Sequence, residues 1–184
     1  MDMDIRKLVR EILVNEFSEE EFGMLKTQYA DARIILSHDE EIGFRPQVGN
    51  QRTTYKPKGL WYGFGDSWME WVKNEMPNRY EAYDHIHLIE VNQGALLSMG
   101  TMEELLSFTK KYSPTHNRTA VRSDHFERNM IDWDLVSQDY DGIEINPYVY
   151  EARMDERTNW YYPWDVASGC IWKKSAIRSV TKIN

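Results

Sequence analysis

A chain of 184 residues, 41% hydrophobic and 28% charged, has the length and balance of one compact domain; this excludes a disordered chain, a collagen or a coiled-coil rod. A net charge of -8 argues against loose polyanion binding as the main activity, because such binding draws on summed positive charge. The single cysteine, Cys170, excludes an internal disulfide and fits a reducing, cytoplasmic setting. No stretch approaches the ~20 apolar residues that span a bilayer, so no membrane role is expected, and the charged opening segment does not read as a secretory signal.

Residues 5–17 predict an amphipathic helix with Ile5, Leu8, Val9, Ile12 and Leu13 on one face. Ser18 and Glu21 have capping-box spacing for a second helix carrying Phe22, Leu25 and Tyr29. Residues 1–30 are therefore expected as a helical extension, packed on the domain or docking a partner, and residues 31–184 as the main domain. A strand is predicted over 33–37, ending at His38. Residues 39–58 are polar and irregular, a loop long enough to carry function. A second strand is expected over 59–64. After the turn at Gly65-Asp66, Ser67 and Glu70 predict a capped helix with Trp68, Trp71 and Val72 on its inner face.

Residues 85–91 read as a third strand, with a turn over 92–94 and a short continuation over 95–98. Thr101 and Glu104 predict another capping box, opening a helix that turns Met102, Leu105, Leu106, Phe108 and Tyr112 inward and stops at Ser113-Pro114. The one locally basic stretch is 113–128, with Arg118, Arg122 and Arg128 beside His116 and His125. A short helix over 130–140, a strand over 141–145, an irregular aromatic stretch over 147–163 and strands over 168–172 and 177–183 complete the chain. Short strands interleaved with helices predict an α+β domain built on a pair of small packed sheets.

Glycine-rich phosphate loops, the GxSxG elbow and HExxH are all missing, which removes the usual sequence support for phosphoryl transfer and serine hydrolysis. His85 and His87 alternate on one strand beside Asp84, so both rings project from one face, yet spacing marks no third metal ligand. Cys170 lies between Gly169 and Ile171 in an apolar strand, the setting of an inert thiol.

What remains is a constellation in chain order. It runs through Ile35-Leu36-Ser37-His38, Gly59-Leu60-Trp61-Tyr62-Gly63, residues 86–91 with a following helix, Tyr140-Asp141-Gly142-Ile143, and a last strand leading into Lys174-Ser175-Ala176-Ile177. This order resembles the ADP-ribosyltransferase fold over about residues 33–183. The resemblance implies an ADP-ribosyltransferase-like pair of packed sheets that cleaves NAD and transfers ADP-ribose to a protein or nucleic-acid acceptor. It implies that His38 and Trp61, with Tyr62 beside it, bind NAD. The family's glutamate at the start of the final strand falls on Ser168, and a hydroxyl cannot stabilise a developing cation as a carboxylate does. The charge must then come from Asp165, three residues upstream, or from Glu144 on the neighbouring strand. Otherwise the chain keeps the fold and binds a nucleotide-like ligand or a partner without turnover. Residues 56–61 and 160–172 also resemble stretches of tailed-bacteriophage proteins, which implies the cytoplasm of an infected host and a host or defence target.

Overall fold

The computed structural model describes residues 18–44, 52–76, 83–113 and 130–184. The helix expected over 5–17, the basic side chains Arg118, Arg122 and Arg128, and residues 45–51 of the long loop lie outside the described residues.

Helix α1 (Glu19–Thr27) starts where the capping box predicts. The Ser18 hydroxyl accepts the Glu21 N–H, and the Glu21 carboxylate accepts the Ser18 N–H at 2.7 Å. Strands β1 (Arg33–Ser37), β2 (Arg52–Thr54) and β3 (Leu60–Phe64) follow, then α2 (Ser67–Glu75) and β4 (His85–Val91). A 3₁₀ turn at Gln93–Ala95 leads into β5 (Leu96–Met99). Next come α3 (Met102–Tyr112), β6 (Ile131–Asp132), α4 (Trp133–Asp139), β7 (Gly142–Ile145) and α5 (Tyr150–Arg153). A second 3₁₀ segment (Glu156–Tyr161), β8 (Ser168–Ile171), a third (Lys174–Ala176) and β9 (Ile177–Lys182) end the chain.

The protein is α+β, but its described strands do not divide into two small packed sheets. Seven of them form one sheet in the order β5-β7-β8-β3-β1-β4-β9, and β2 pairs with β6 in a separate ribbon. Only β5 and β7 run parallel within the large sheet. Chain connectivity forces this sheet to curl. In a flat sheet β4 and β5 would stand five strand spacings apart, about 24 Å. The link from Val91 to Leu96 spans at most about 18 Å when fully extended, and its 3₁₀ turn shortens it further.

Strand alternation then sorts side chains between the inside and outside of the curl. Inside lie Ile35, Tyr62, Phe64, Ile89, Val91, Leu96 and Ile171. Outside, the sheet carries two separate helical covers. One packs α3, α4, α5 and the second 3₁₀ segment on β7 and β8 through Leu105, Phe108, Trp133, Trp160 and Trp164. The other packs α1 and α2 on β1 and β4 through Phe22, Leu25, Met69 and Val72. Residues 18–30 therefore share a core with the domain they precede.

Candidate functional site

Between the two covers lies the part of the outer sheet face formed by β1 and β3. A cleft of ≈ 300 Å³ lies there, lined by Ile34, Leu36, Lys56, Trp61, Gly63, Trp68, Tyr83, Asp165 and Ser168 among others. Trp61 packs against one cover and Trp68 against the other. Gly63 sits between them, and a Cβ there would press on the Trp68 Cβ at 2.9 Å, so glycine lets the α2 wall approach the strand.

One wall holds the chemistry. The half-buried Trp61 indole stands edge-on to the fully buried Trp164, ring centroids 4.9 Å apart. Lys56 places its ammonium 5.0 Å from the Trp61 ring centroid and 4.0 Å from Asp165 Oδ2. From the other side the Arg153 guanidinium donates to Asp165 Oδ1 at 3.1 Å. Burial pulls the Lys56 ammonium below its ordinary value, against the Asp165 carboxylate, which favours its charge. Asp165 is thus oriented by two cations, and the trio carries a net charge of about +1, which suits an anionic ligand. The Ser168 hydroxyl lines the same cleft and donates to the Val166 carbonyl at 2.9 Å.

The backbone of the wall is set by β3 and β8, whose register pairs Trp61 with Cys170 and Tyr62 with Gly169. Asp165 and Val166 lie just before β8, held through Trp164, whose carbonyl accepts the Tyr148 hydroxyl at 2.7 Å.

Glu144 belongs to the other side of the sheet. It lies inside the curl, 5% exposed, with both oxygens engaged. Arg33 donates to it twice, from Nε at 2.8 Å and from Nη2 at 3.0 Å. The Tyr62 hydroxyl donates at 2.9 Å, Gln93 Nε2 at 2.6 Å and Ser98 Oγ at 2.7 Å. Arg33 Nη2 also donates to Gln93 Oε1. Burial alone would raise the Glu144 carboxyl, but the Arg33, Gln93 and Ser98 bonds outweigh it and hold the group below the usual carboxylate range. Burial and the facing Glu144 drive the Tyr62 hydroxyl the opposite way, far above its ordinary value. A carboxylate so fully bonded anchors structure and has no lone pair turned to the cleft.

Of the residues singled out in the sequence, Trp61, Tyr62, Asp165 and Ser168 line one cleft, although the Tyr62 side chain reaches through the opposite face to Glu144. His38 is exposed and stacks on Tyr83, ring centroids 5.3 Å apart, so it meets the cleft only at its rim. Lys56 and Arg153 were not anticipated. Lys56 had one local signal, its place just before the strand bearing Trp61. Arg153 had none, since its contact with Asp165 depends on how α5 packs.

The other candidates fare as their surroundings dictate. His85 and His87 rings lie 6.3 Å apart, and His87 Nε2 meets the Glu40 carbonyl at 2.9 Å. Among the described residues no group of three His, Cys, Asp or Glu side chains is placed to hold a metal ion. Cys170 is fully buried, and burial pushes its thiol well above the ordinary value, which leaves little thiolate to act as a nucleophile. Among the described residues no helix is long and apolar enough to cross a membrane. Comparison with models of known protein families, with curated proteins and with solved structures gives no match for this chain.

Proposed function

We propose that the cleft binds NAD and that the chain is an ADP-ribosyltransferase-like domain acting on a macromolecular acceptor. The observation that carries this reading is the meeting of Trp61, Asp165 and Lys56 in one opening between the helical covers. An indole face offers stacking for a flat ring, worth about 0.5–1.5 kcal/mol beyond area burial. The cations favour the pyrophosphate, and the carboxylate suits a sugar that becomes positive as its bond to nicotinamide breaks. A cleft of ≈ 300 Å³ takes the nicotinamide–ribose end and leaves the rest of the dinucleotide along the rim.

In the proposed reaction the C1′–N bond breaks and its electron pair leaves with nicotinamide. The ribose carries the positive charge until an acceptor nucleophile attacks C1′ and releases its proton. Asp165 stabilises the cationic sugar, Trp61 holds the departing ring, and Ser168, on a short strand beside Trp61, borders the sugar. His38, stacked on Tyr83, lies where the other end of the dinucleotide would pass. In this reading the chain acts in the cytoplasm of a phage-infected host.

The direct test is nicotinamide release from NAD by the purified chain. Asp165→Asn is expected to lower the rate about 100-fold or more, the scale of removing a preorganised electrostatic group. Trp61→Ala is expected to act mainly on KM. A chain that neither releases nicotinamide nor changes its tryptophan fluorescence on adding NAD overturns the proposal.

A second reading has its own support. Ser168 stands where the resembled family has its glutamate, and Asp165 is already paired with Arg153 and Lys56. A chain of that kind binds the dinucleotide, or a partner, without cleaving it. Fluorescence quenching by NAD with no nicotinamide release would select this reading.

A further inference from the structure

The large hydrophobic side chains most exposed among the described residues belong to the segment 150–162, which also supplies Arg153 to the Asp165 wall. Tyr150 and Met154 are each 74% exposed and Tyr162 is 51% exposed. Tyr150 and Met154 are four residues apart on α5 and its C-cap, so they share one side of that turn. Arg153 connects this surface to the cleft. Its guanidinium donates to Asp165, and its Cζ lies 5.7 Å from the Tyr162 ring centroid. The aromatic surface thus begins one side chain away from the carboxylate assigned to the reacting sugar.

Charge decides what such a surface can receive. Glu151, Asp155 and Glu156 are its neighbours along the chain, with Arg153 turned to Asp165 and Arg157 bonded to Asp155 at 2.6 Å. A nucleic acid would bring its phosphates against these carboxylates, on a molecule whose net charge is already -8. A peptide that alternates basic and apolar side chains meets both features. Its apolar groups cover Tyr150 and Met154, and its cations face Glu151 and the exposed tyrosine rings.

We propose that Tyr150, Met154 and Tyr162 form a docking surface for a basic, apolar segment of a protein, which delivers the acceptor side chain to the mouth of the Asp165 cleft. This rests on the transferase reading for the acceptor's role; the surface itself is testable without it. Binding is read by fluorescence anisotropy with two labelled probes, a short peptide of alternating arginine and leucine and a single-stranded oligonucleotide of similar length. The full chain is compared with a Tyr150→Ser/Met154→Ser variant. Both positions are exposed and outside the cleft, so the variant should fold and release nicotinamide as the parent does. The parent is expected to bind the peptide about tenfold more tightly than the variant, the scale of losing two interface anchors, and to bind the oligonucleotide far more weakly than the peptide. Equal peptide binding by parent and variant, or oligonucleotide binding that the variant abolishes, overturns the proposal. If neither chain releases nicotinamide while the peptide difference holds, the catalytic reading falls and the docking surface stands.

Discussion

Glu144 shows how one buried side chain can tie distant parts of the chain together. Its carboxylate joins Arg33 on β1, Tyr62 on β3, the Gln93 turn, Ser98 on β5 and its own strand β7. Tyr62 reaches it because Gly169 on β8 lacks a side chain; a Cβ there would overlap the tyrosine ring. Removing the Arg33 cation leaves the Glu144 carboxylate buried and unpaired, which costs about 3–5 kcal/mol, whereas removing Glu144 leaves a guanidinium that still reaches solvent. Arg33→Met should lower stability on that scale in urea unfolding and Glu144→Gln by less, whereas Arg33→Met/Glu144→Met should lose less than the sum. Single losses under about 1 kcal/mol would contradict the role given to the pair. The same network fixes an acid response. The folded carboxyl lies below its ordinary value of 4.5, so its contribution is complete above that pH. It is lost as pH falls through the folded value, and the Glu144→Gln protein should show a flatter stability profile across that window.

At the level of elements, local spacing decides the helix starts and long-range contacts decide where the strands go. Thr101 caps α3 as the sequence predicts: its hydroxyl accepts the Glu104 N–H, while the Glu104 carboxylate accepts the Thr101 N–H at 3.0 Å. Thr101→Ala should therefore cost about 1 kcal/mol in thermal or urea unfolding. Ser67 carries the same sequence signal with a different outcome. Asp66 takes the N-cap position of α2 without a side-chain cap bond, and the Ser67 hydroxyl donates to the Ala167 carbonyl at 3.3 Å. Ser67→Ala should consequently cost less than Thr101→Ala. This contrast marks how far the sequence was legible. Capping boxes and alternating strands are encoded within a few residues, and α1, β1, β3, β4, α3, β7, β8 and β9 were readable from them. Sheet order is encoded by pairs such as Arg33 and Glu144, 111 positions apart, which no local pattern reveals. For the same reason Glu144 could be offered as a catalytic carboxylate, its partners inside the curl being invisible in its own strand. An arginine on the same strand face as Ile35 was the one clue that a buried anion had to exist. The stretch 147–163 hid α5 and a 3₁₀ segment because its helical order comes from packing Ala152, Trp160 and Tyr161 into the core, with too few residues to show a period. At the candidate site, Trp61 could be named from resemblance and Asp165 only as a stand-in for the carboxylate that Ser168 lacks, whereas their union with Arg153 required the fold.

Across the whole molecule two electrostatic effects compete at the cleft. The chain carries a net charge of -8, which repels an anionic dinucleotide by roughly 2 kcal/mol per ligand charge at about 20 Å in water without salt. Lys56 and Arg153 attract it, but only within a few ångströms of Asp165, inside the ~10 Å Debye length at 0.1 M salt. Salt therefore weakens the distant repulsion more than the contact attraction. Between about 0.01 M and 0.1 M the screened repulsion changes by on the order of 0.5 kcal/mol for a singly charged ligand, about twofold in affinity. On the proposed reading, NAD binding followed by tryptophan fluorescence should accordingly tighten about twofold over that range. Lys56→Gln should weaken binding at every salt concentration while leaving the upward trend intact, because the trend belongs to the whole charge distribution and the offset to one ammonium beside Trp61. A binding constant that falls steeply as salt rises would instead mean that uncompensated cations dominate the ligand's path, and the cleft between the two helical covers would not be where the dinucleotide sits.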